Sequence, residues 1–229
     1  MRYSRVIIRI TKIIRKITKG MVIFMYSIYA LGIMSAVISF LGFLLENIWL
    51  ACTKGYIDNR NMSLPFLYGY GMAVISIYAF FGTPQDMILL GRIPIENHSV
   101  LIYFAVVFFA VSVGEIALGT AVEKLCGFEY WNYSSLPLHV TKYTSVFTSF
   151  GFAAIITLFM RYAFSPVMNL IQGVNTNIGM AASLAVTVIM SLDFIKSFAV
   201  MHRKHALNER WRLTLSGSDG ERKFIRNTI

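Results

Sequence analysis

The stretch SVLIYFAVVFFAVSVGEIALGTA at residues 99–121 contains a single charged side chain, Glu115. An α-helix rises about 1.5 Å per residue, so this stretch is long enough to cross a hydrocarbon core about 30 Å thick. Its length and apolar character predict a transmembrane helix. Because backbone groups in hydrocarbon must find hydrogen-bond partners within the protein, we expect the other apolar segments to be helical as well.

The composition of the whole chain supports a membrane protein. Of its 229 residues, 56% are hydrophobic and 14% are charged, and the mean hydropathy is +0.62. A soluble domain carries about 25% charged residues. Four more segments are long and apolar, namely residues 21–45, 66–82, 143–163 and 177–198. We predict an all-α, polytopic integral membrane bundle of about five transmembrane helices, with a short interfacial helix at residues 165–176.

Basic residues are concentrated at the two ends of the chain, whose net charge is +10. In residues 1–20 they recur at steps of three and four, which predicts a basic amphipathic helix in the membrane interface. Residues 21–200 are the predicted transmembrane domain, and residues 201–229 a basic, flexible tail. Anionic lipid head groups attract such charge by about 1 kcal/mol per residue. Membrane lipids are therefore expected partners, and nucleic acid is not.

The distribution of lysine and arginine also predicts an orientation. Five spans place the two termini on opposite faces of the membrane. With the C-terminus inside, twelve basic residues lie inside and nine outside. The positive-inside rule therefore favours a cytoplasmic C-terminal tail, in a bacterial cytoplasmic membrane.

Ionisable side chains within predicted spans are candidate functional residues, because a charge in hydrocarbon is costly. Glu46 and Asn47 end the first predicted span, and Asp193 lies in the last. Glu115 lies well inside the third span, and Glu123 follows about 80° round the same helix. The hypothesis is that the three glutamates line one cavity and bind a cation, a polar head group or a proton.

Each of these positions also has a simpler explanation. Asp193 can form a local ion pair with Lys196, three residues further on. Glu46 and Glu123 can be interfacial residues. Glu115 can hold two helices together through a hydrogen bond. The sequence leaves these alternatives open.

An aromatic turn formed by Tyr130, Trp131, Asn132 and Tyr133 precedes the fourth predicted span. It can contact a head group or a substrate, or it can anchor the chain at the interface, as Trp and Tyr commonly do. No GxxxxGK[ST], GxSxG or HExxH pattern occurs, so this chain cannot hydrolyse ATP through a P-loop by itself. Neither a cofactor nor a metal site is expected, and no catalytic residue is assigned.

Three segments together resemble a known family. GFLLEN at residues 42–47, FLYGYG at 66–71 and GEIALGTAVEKLCGFEYWNYSSLPL at 114–138 are similar to the putative ABC-transporter type IV membrane proteins, the CmpB-like group. The similarity covers about residues 39–198 and is strongest at two glutamates eight residues apart and the aromatic turn after them. The chain resembles a divergent member, since Asn132 stands where the family usually has Asp.

The resemblance implies a transporter-like or permease-like membrane subunit, with a separate ATPase as partner if ATP drives transport. A homodimer is a further expectation. Two other functions stay open: a membrane enzyme acting on a lipid or isoprenoid, with Glu115 or Glu123 as general acid or base, and a non-catalytic partner or regulatory subunit. The predicted substrate-binding residues are Glu46, Asn47, Glu115, Glu123, Trp131, Asn132, Tyr133 and Asp193.

Overall fold

The structure is a computed structural model that describes residues 26–91, 93–96 and 99–215 and the backbone of residues 223–226. The predicted interfacial helix at residues 1–20 lies outside these residues, as does part of the predicted tail. The helices of the described part are, in chain order, α1 (Ile28–Lys54), α2 (Tyr68–Phe81), α3 (Val100–Cys126), α4 (Val146–Tyr162), α5 (Phe164–Gln172) and α6 (Thr176–Lys204).

Three of these helices, α1, α3 and α6, are long and apolar enough to cross a membrane, with mean hydropathies of 2.2, 2.3 and 2.0 over their most apolar stretches. α4 and α5 meet at a bend of 50° and make a fourth span if they are taken together. α2 has 14 residues. That length corresponds to about 21 Å, less than a hydrocarbon core of about 30 Å. The described chain is mostly helical, and the predicted number of about five spans is not confirmed.

Two helices extend beyond their predicted ends. α1 continues past Glu46 and α3 past Glu123, so both glutamates are helical residues. Each helix ends at a glycine in the left-handed conformation, Gly55 with φ 71° and Gly127 with φ 75°. Glycine adopts this conformation without the steric penalty of a Cβ atom and so ends a helix. Glu46 and Glu123, near which the predicted spans end, do not interrupt the helical backbone.

A small β-sheet marks one end of the bundle. β1 (Tyr56–Asp58) follows α1 and pairs antiparallel with β6 (Trp211–Thr214), which follows α6. β6 also pairs antiparallel with a further strand of residues Lys223–Arg226, numbered β7 in chain order. We call this end of the bundle the sheet end. The predicted all-α fold is thus incomplete, because strands join the first connection to the C-terminal segment.

The connection between α3 and α4 also lies at the sheet end. It carries β4 (His139–Thr141) and β5 (Thr144–Ser145), which pair antiparallel. Beyond α6, Nδ1 of His205 lies 2.7 Å from the carbonyl oxygen of Cys126, the last residue of α3. Nδ1 of His202 contacts the preceding carbonyl oxygen, that of Leu125. The two imidazoles therefore meet carbonyl groups that α3 leaves without helical partners at its C-terminus.

The opposite end of the bundle, the hairpin end, contains the apolar core. Here β2 (Ile88–Leu89) pairs antiparallel with β3 (Ile93–Pro94) between α2 and α3. Gln85 Nε2 donates to the carbonyl oxygen of Arg161 at 2.6 Å and so ties this connection to the end of α4. The largest fully buried side chains of this core are Tyr103, Phe164, Met34, Met87, Met160, Met168 and Val107. The apolar core thus lies at one end, and the predicted polar residues lie toward the other.

Helices α1 and α2 approach each other closely at Gly71. A Cβ atom at this position would lie 2.3 Å from the carbonyl oxygen of Ser35 and 2.5 Å from Ser39 Oγ. Small residues permit such close approach between membrane helices. Gly69, two residues earlier, has no atom within 4 Å of the corresponding position. Of the two glycines in FLYGYG, the packing therefore requires only Gly71.

We predict that Gly71→Ala lowers the free energy of unfolding by about 1–3 kcal/mol, because the added methyl group overpacks the contact between α1 and α2. Unfolding in detergent micelles measures the effect. Gly69→Ala is the matched control, and its stability should be unchanged or higher by up to about 1 kcal/mol, since alanine is the better helix former. Equal stability of the two variants would contradict the close packing at Gly71.

Candidate functional site

The four predicted carboxylates lie in the half of the bundle that faces the sheet end. Glu46 is on α1, Glu115 and Glu123 are on α3, and Asp193 is on α6. These three helices run in the same direction and end at the sheet end. Each carboxylate comes in the C-terminal half of its helix, so the common direction of the helices brings all four toward one end.

The Glu46 carboxylate connects α1 to α2 and to the segment between them. Its Oε2 accepts a hydrogen bond from Arg60 Nη2 at 3.0 Å, and its Oε1 accepts one from the Tyr70 hydroxyl at 2.5 Å. The Arg60 guanidinium also lies 3.6 Å from Asp58 Oδ1. Beside Glu46, Asn47 accepts a hydrogen bond from the backbone N–H of Asp58 at 2.9 Å. Glu46 and Asn47 thus hold the α1–α2 connection against α1.

The Glu115 carboxylate is surrounded by hydroxyl groups. Its Oε2 lies 2.6 Å from Thr144 Oγ1 and 3.0 Å from Ser149 Oγ, and the two hydroxyl oxygens lie 2.9 Å apart. Thr144 is 2% exposed and Ser149 is 1% exposed. Among the described residues, no lysine, arginine or histidine forms an ion pair with Glu115. This carboxylate therefore has hydrogen-bond partners but no positive counter-charge.

The Glu123 side chain is more exposed than that of Glu46. Its Oε1 accepts a hydrogen bond from Lys142 Nζ at 2.7 Å, and its Oε2 accepts one from the Tyr143 hydroxyl. Lys142 also donates to Glu129 Oε1 at 2.8 Å, and its side chain is 37% exposed. The hydrogen bonds to the two carboxylates raise the pKa of Lys142. Glu123 thus belongs to a solvated charge cluster in which a cation already balances it.

Asp193 binds backbone rather than a neighbouring side chain. Both of its oxygens accept from the backbone N–H of Ser63 at 3.1 Å, and Oδ2 also accepts from that of Leu64 at 3.0 Å. Asp193 is 8% exposed. The alternative of a local ion pair with Lys196 is wrong for the described structure, since the two side chains form none. Asp193 faces the α1–α2 connection, whereas Lys196 is exposed.

The aromatic turn lies against the sheet end of the bundle. The Tyr130 hydroxyl accepts a hydrogen bond from Asn61 Nδ2 at 3.0 Å, and Trp131 Nε1 donates to the carbonyl oxygen of Tyr143 at 2.9 Å. Asn132 is exposed and binds within the turn: its Oδ1 accepts from the N–H of Ser134 at 2.8 Å. The turn is part of the α3–α4 connection and holds it against the α1–α2 connection.

Tyr133 links the surroundings of two carboxylates. Its backbone N–H donates to the carbonyl oxygen of Lys142 at 2.8 Å, which holds the turn against the segment before α4. Burial raises the pKa of the Tyr133 phenol, and the negative charges of Glu115 and Glu46 raise it further. Of the predicted turn residues, Tyr133 is thus the one whose pKa both carboxylates raise.

Sequence analysis missed the partners of the predicted carboxylates. These partners lie far from the carboxylates along the chain, so no local spacing in the sequence points to the partners. One signal was available, because the run TKYTSVFTS at residues 141–149 is rich in hydroxyl groups and contains the capping box of α4, Ser145 with Thr148. Such a box marks the start of a helix and would have placed its hydroxyls near the end of α3. The missed residues are Arg60, Tyr70, Lys142, Thr144 and Ser149.

The site differs from the single cavity that the sequence analysis predicted. Each of the four carboxylates has its own set of partners, and Tyr133 is the residue that lies near two of them. In the described part of the chain, no group of three or more His, Cys, Asp or Glu side chains could hold a metal ion. The arrangement can bind protons and hydrogen-bonding groups, and Glu115 is the carboxylate without a charged partner.

We predict that the Glu46–Arg60 pair contributes about 1–3 kcal/mol of coupling energy, because both groups are mostly shielded from water and hydrogen bonds to charged groups are strong. A double-mutant cycle with Glu46→Gln and Arg60→Gln, measured by unfolding in micelles, gives this energy. The same cycle on the more exposed pair Glu129–Lys142 is the control and should give less than about 1 kcal/mol. Equal coupling energies in both cycles would show that shielding from water does not strengthen the Glu46–Arg60 pair.

Comparison with known protein families gives a match over most of the chain. A sequence model of the family described as putative ABC-transporter type IV matches residues 33–198. This range contains all eight predicted site residues and extends from the first turns of α1 into the last turns of α6. Comparisons with curated proteins and with solved structures give no match.

Proposed function

Because the chain belongs to the family described as putative ABC-transporter type IV, we propose that it is a permease-like membrane subunit with an intramembrane carboxylate site at Glu115. The family and the three apolar helices fit a membrane transporter-like subunit. The position of the site and its use in transport are our inference from the contacts of the carboxylates.

The observation that carries the proposal is the absence of a counter-charge at Glu115 among the described residues. Glu46 forms an ion pair with Arg60 at 3.0 Å, and Glu123 forms one with Lys142 at 2.7 Å. An ionisable side chain within a membrane span is costly unless it is paired or has a function. The Oε1 oxygen of Glu115 accepts no hydrogen bond from the described residues. A transported or coupling ligand would supply a partner for this oxygen. Tyr133 would line the path to this oxygen from the sheet end.

The energy for transport would come from a separate ATPase docked at the sheet end. The three segments that meet there, residues 55–67, 127–145 and 205–215, would form its docking surface. Exposed basic residues are frequent at the sheet end and include Lys54, Lys124, Arg203 and Lys204. At the hairpin end, the basic residue that the structure describes is Arg161. The positive-inside rule favours a cytoplasmic sheet end, which is where an ATPase would be found.

Purification from the native host in mild detergent, followed by mass spectrometry, tests this function. We expect a stoichiometric ATPase in the complex and ATP-dependent transport after reconstitution into vesicles. Glu115→Gln should abolish transport and leave the complex intact, because it removes the ionisable carboxyl group of the site without touching the sheet end. A chain that brings no ATPase and supports no transport in vesicles would exclude the proposal.

Charge reversal tests where the ATPase docks. The double variant Lys124→Glu and Arg203→Glu should weaken the complex about tenfold or more, since like charges across an interface are repulsive. Arg161→Glu at the hairpin end is the matched control and should leave the affinity unchanged. Equal losses for both, measured by binding of the purified ATPase to the protein in nanodiscs, would place the docking surface elsewhere.

A non-catalytic membrane partner is the second candidate function. The observation that favours it is that Glu46, Glu123 and Asp193 all bind groups of the chain itself and so act as structural anchors. In that case the co-purified protein would be a membrane protein other than an ATPase. Its binding would persist when Glu115 is replaced by Gln, and no transport would be found.

A further inference from the structure

Three oxygen atoms beside the start of α4 form a closed triangle. Glu115 Oε2, Thr144 Oγ1 and Ser149 Oγ are separated by 2.6, 2.9 and 3.0 Å. All three separations are hydrogen-bond distances for oxygen pairs. The two hydroxyl residues are almost completely buried, at 2% and 1% exposure, so bulk water does not enter the triangle from their side.

The number of hydrogen atoms decides what this triangle is. A threonine or serine hydroxyl carries one hydrogen, and an ionised carboxylate carries none. With Glu115 ionised, two hydrogens would serve three contacts, and one pair of oxygens would face each other through lone pairs alone. A hydrogen on Glu115 Oε2 gives each of the three contacts its own hydrogen. In the resulting ring, every oxygen donates one hydrogen bond and accepts one.

A metal cation fits the triangle less well than a proton. Oxygen ligands at about 2.4 Å from a cation and at right angles to one another stand about 3.4 Å apart. The three oxygens here are all closer together than that. A cation would also have a single carboxylate as its charged ligand. The distances therefore favour a hydrogen between the oxygens over an ion at the centre.

We infer that Glu115, Thr144 and Ser149 form a reversible proton-binding site, occupied by a proton in this structure. The inference deepens the proposed function and rests on it in naming the proton as the coupling ion of the Glu115 site. The proton sits on Oε2 and closes the ring of hydrogen bonds. Its release leaves a carboxylate that both hydroxyls can still stabilise, with Oε1 open to a ligand.

The surroundings of Glu115 contain opposing influences on the proton. The low polarity of a membrane span favours the neutral acid, whereas the two hydroxyls and the positive end of α4 favour the carboxylate. The Tyr133 phenol of the aromatic turn is neutral, because burial and the charges of Glu115 and Glu46 raise its pKa. Beyond it lie Glu46 and Asp58, which share Arg60, and two turns along α3 lies Glu123, which shares Lys142 with Glu129. Each of these clusters contains two carboxylates and one cation, so its field favours the neutral acid at Glu115 and opposes the two hydroxyls and the end of α4. These opposing influences allow reversible exchange of the proton.

Infrared spectroscopy of the purified protein tests the proton directly. At neutral pH we expect the carbonyl band of a protonated carboxylic acid, which shifts to lower wavenumber in D2O and is lost as the pH is raised. The band should be absent from Glu115→Gln and shifted in Thr144→Val and Ser149→Ala. Glu123→Gln is the matched control and should keep it, because Glu123 is ionised against Lys142. A spectrum without the band at neutral pH, or with the band unchanged in Glu115→Gln, would overturn the inference.

Stability provides a second, independent measurement. A glutamine is neutral, as a protonated glutamic acid is, but no single atom of its amide group both donates and accepts. Glu115→Gln should therefore lose one hydrogen bond of the ring and melt below wild type by the same margin at neutral and at acid pH. Glu46→Gln should melt lower, since it breaks the ion pair with Arg60. A Glu115→Gln variant that is less stable than wild type at neutral pH and equal to it only in acid would contradict the bound proton. Neither measurement requires an ATPase or transport, so the proton site and the proposed function can fail separately.

Discussion

A backbone N–H group that is buried at the edge of a membrane cannot rely on water, and the α1–α2 connection satisfies this constraint through side chains. Asn47 receives the N–H group of the buried Asp58, and Asp193 receives those of the more exposed Ser63 and Leu64. An unpaired buried group of this kind costs about 1–3 kcal/mol. The connection is therefore held between α1 and α6 by polar side chains that the helices supply.

The other connections at the sheet end follow the same principle. Lys142 binds two carboxylates, the hydroxyls of Tyr130 and Tyr143 find partners, and the imidazoles of His202 and His205 meet the last carbonyl groups of α3. Polar residues within otherwise apolar helices are thus explained mostly by the loops that fold back on them. Glu115 differs, because its partners are neutral hydroxyls.

Much of this architecture could be predicted from the sequence, because long apolar stretches have few structural solutions in a membrane. The long apolar stretch around Glu115 also predicted that this residue lies inside a helix. The ends of the helices could not be predicted as well, since Gly55 and Gly127 terminate helices that polar residues had appeared to end. The partners of Asp193 could not be predicted either, because a contact with a backbone N–H more than a hundred residues away leaves no pattern in the sequence.

The departure at Asn132 has a local explanation. The family resemblance implies Asp at this position, and either side chain could accept the hydrogen bond from the N–H of Ser134. Asn132 also donates from Nδ2 to Glu129 Oε2 at 2.6 Å, which an ionised Asp could not do. The amide thus avoids a repulsion between two carboxylates in a turn where Lys142 already binds Glu129.

The pairing of Tyr56 with Thr214 has a consequence for the making of the protein. Strand β1 leaves the ribosome early, and its partner emerges only after every helix of the bundle has been synthesised. At about 5–20 residues per second, this delay lasts roughly 8–30 s. During that time the edge of β1 that pairs with β6 has no partner strand. A chain truncated before β6 would leave that edge unpaired permanently.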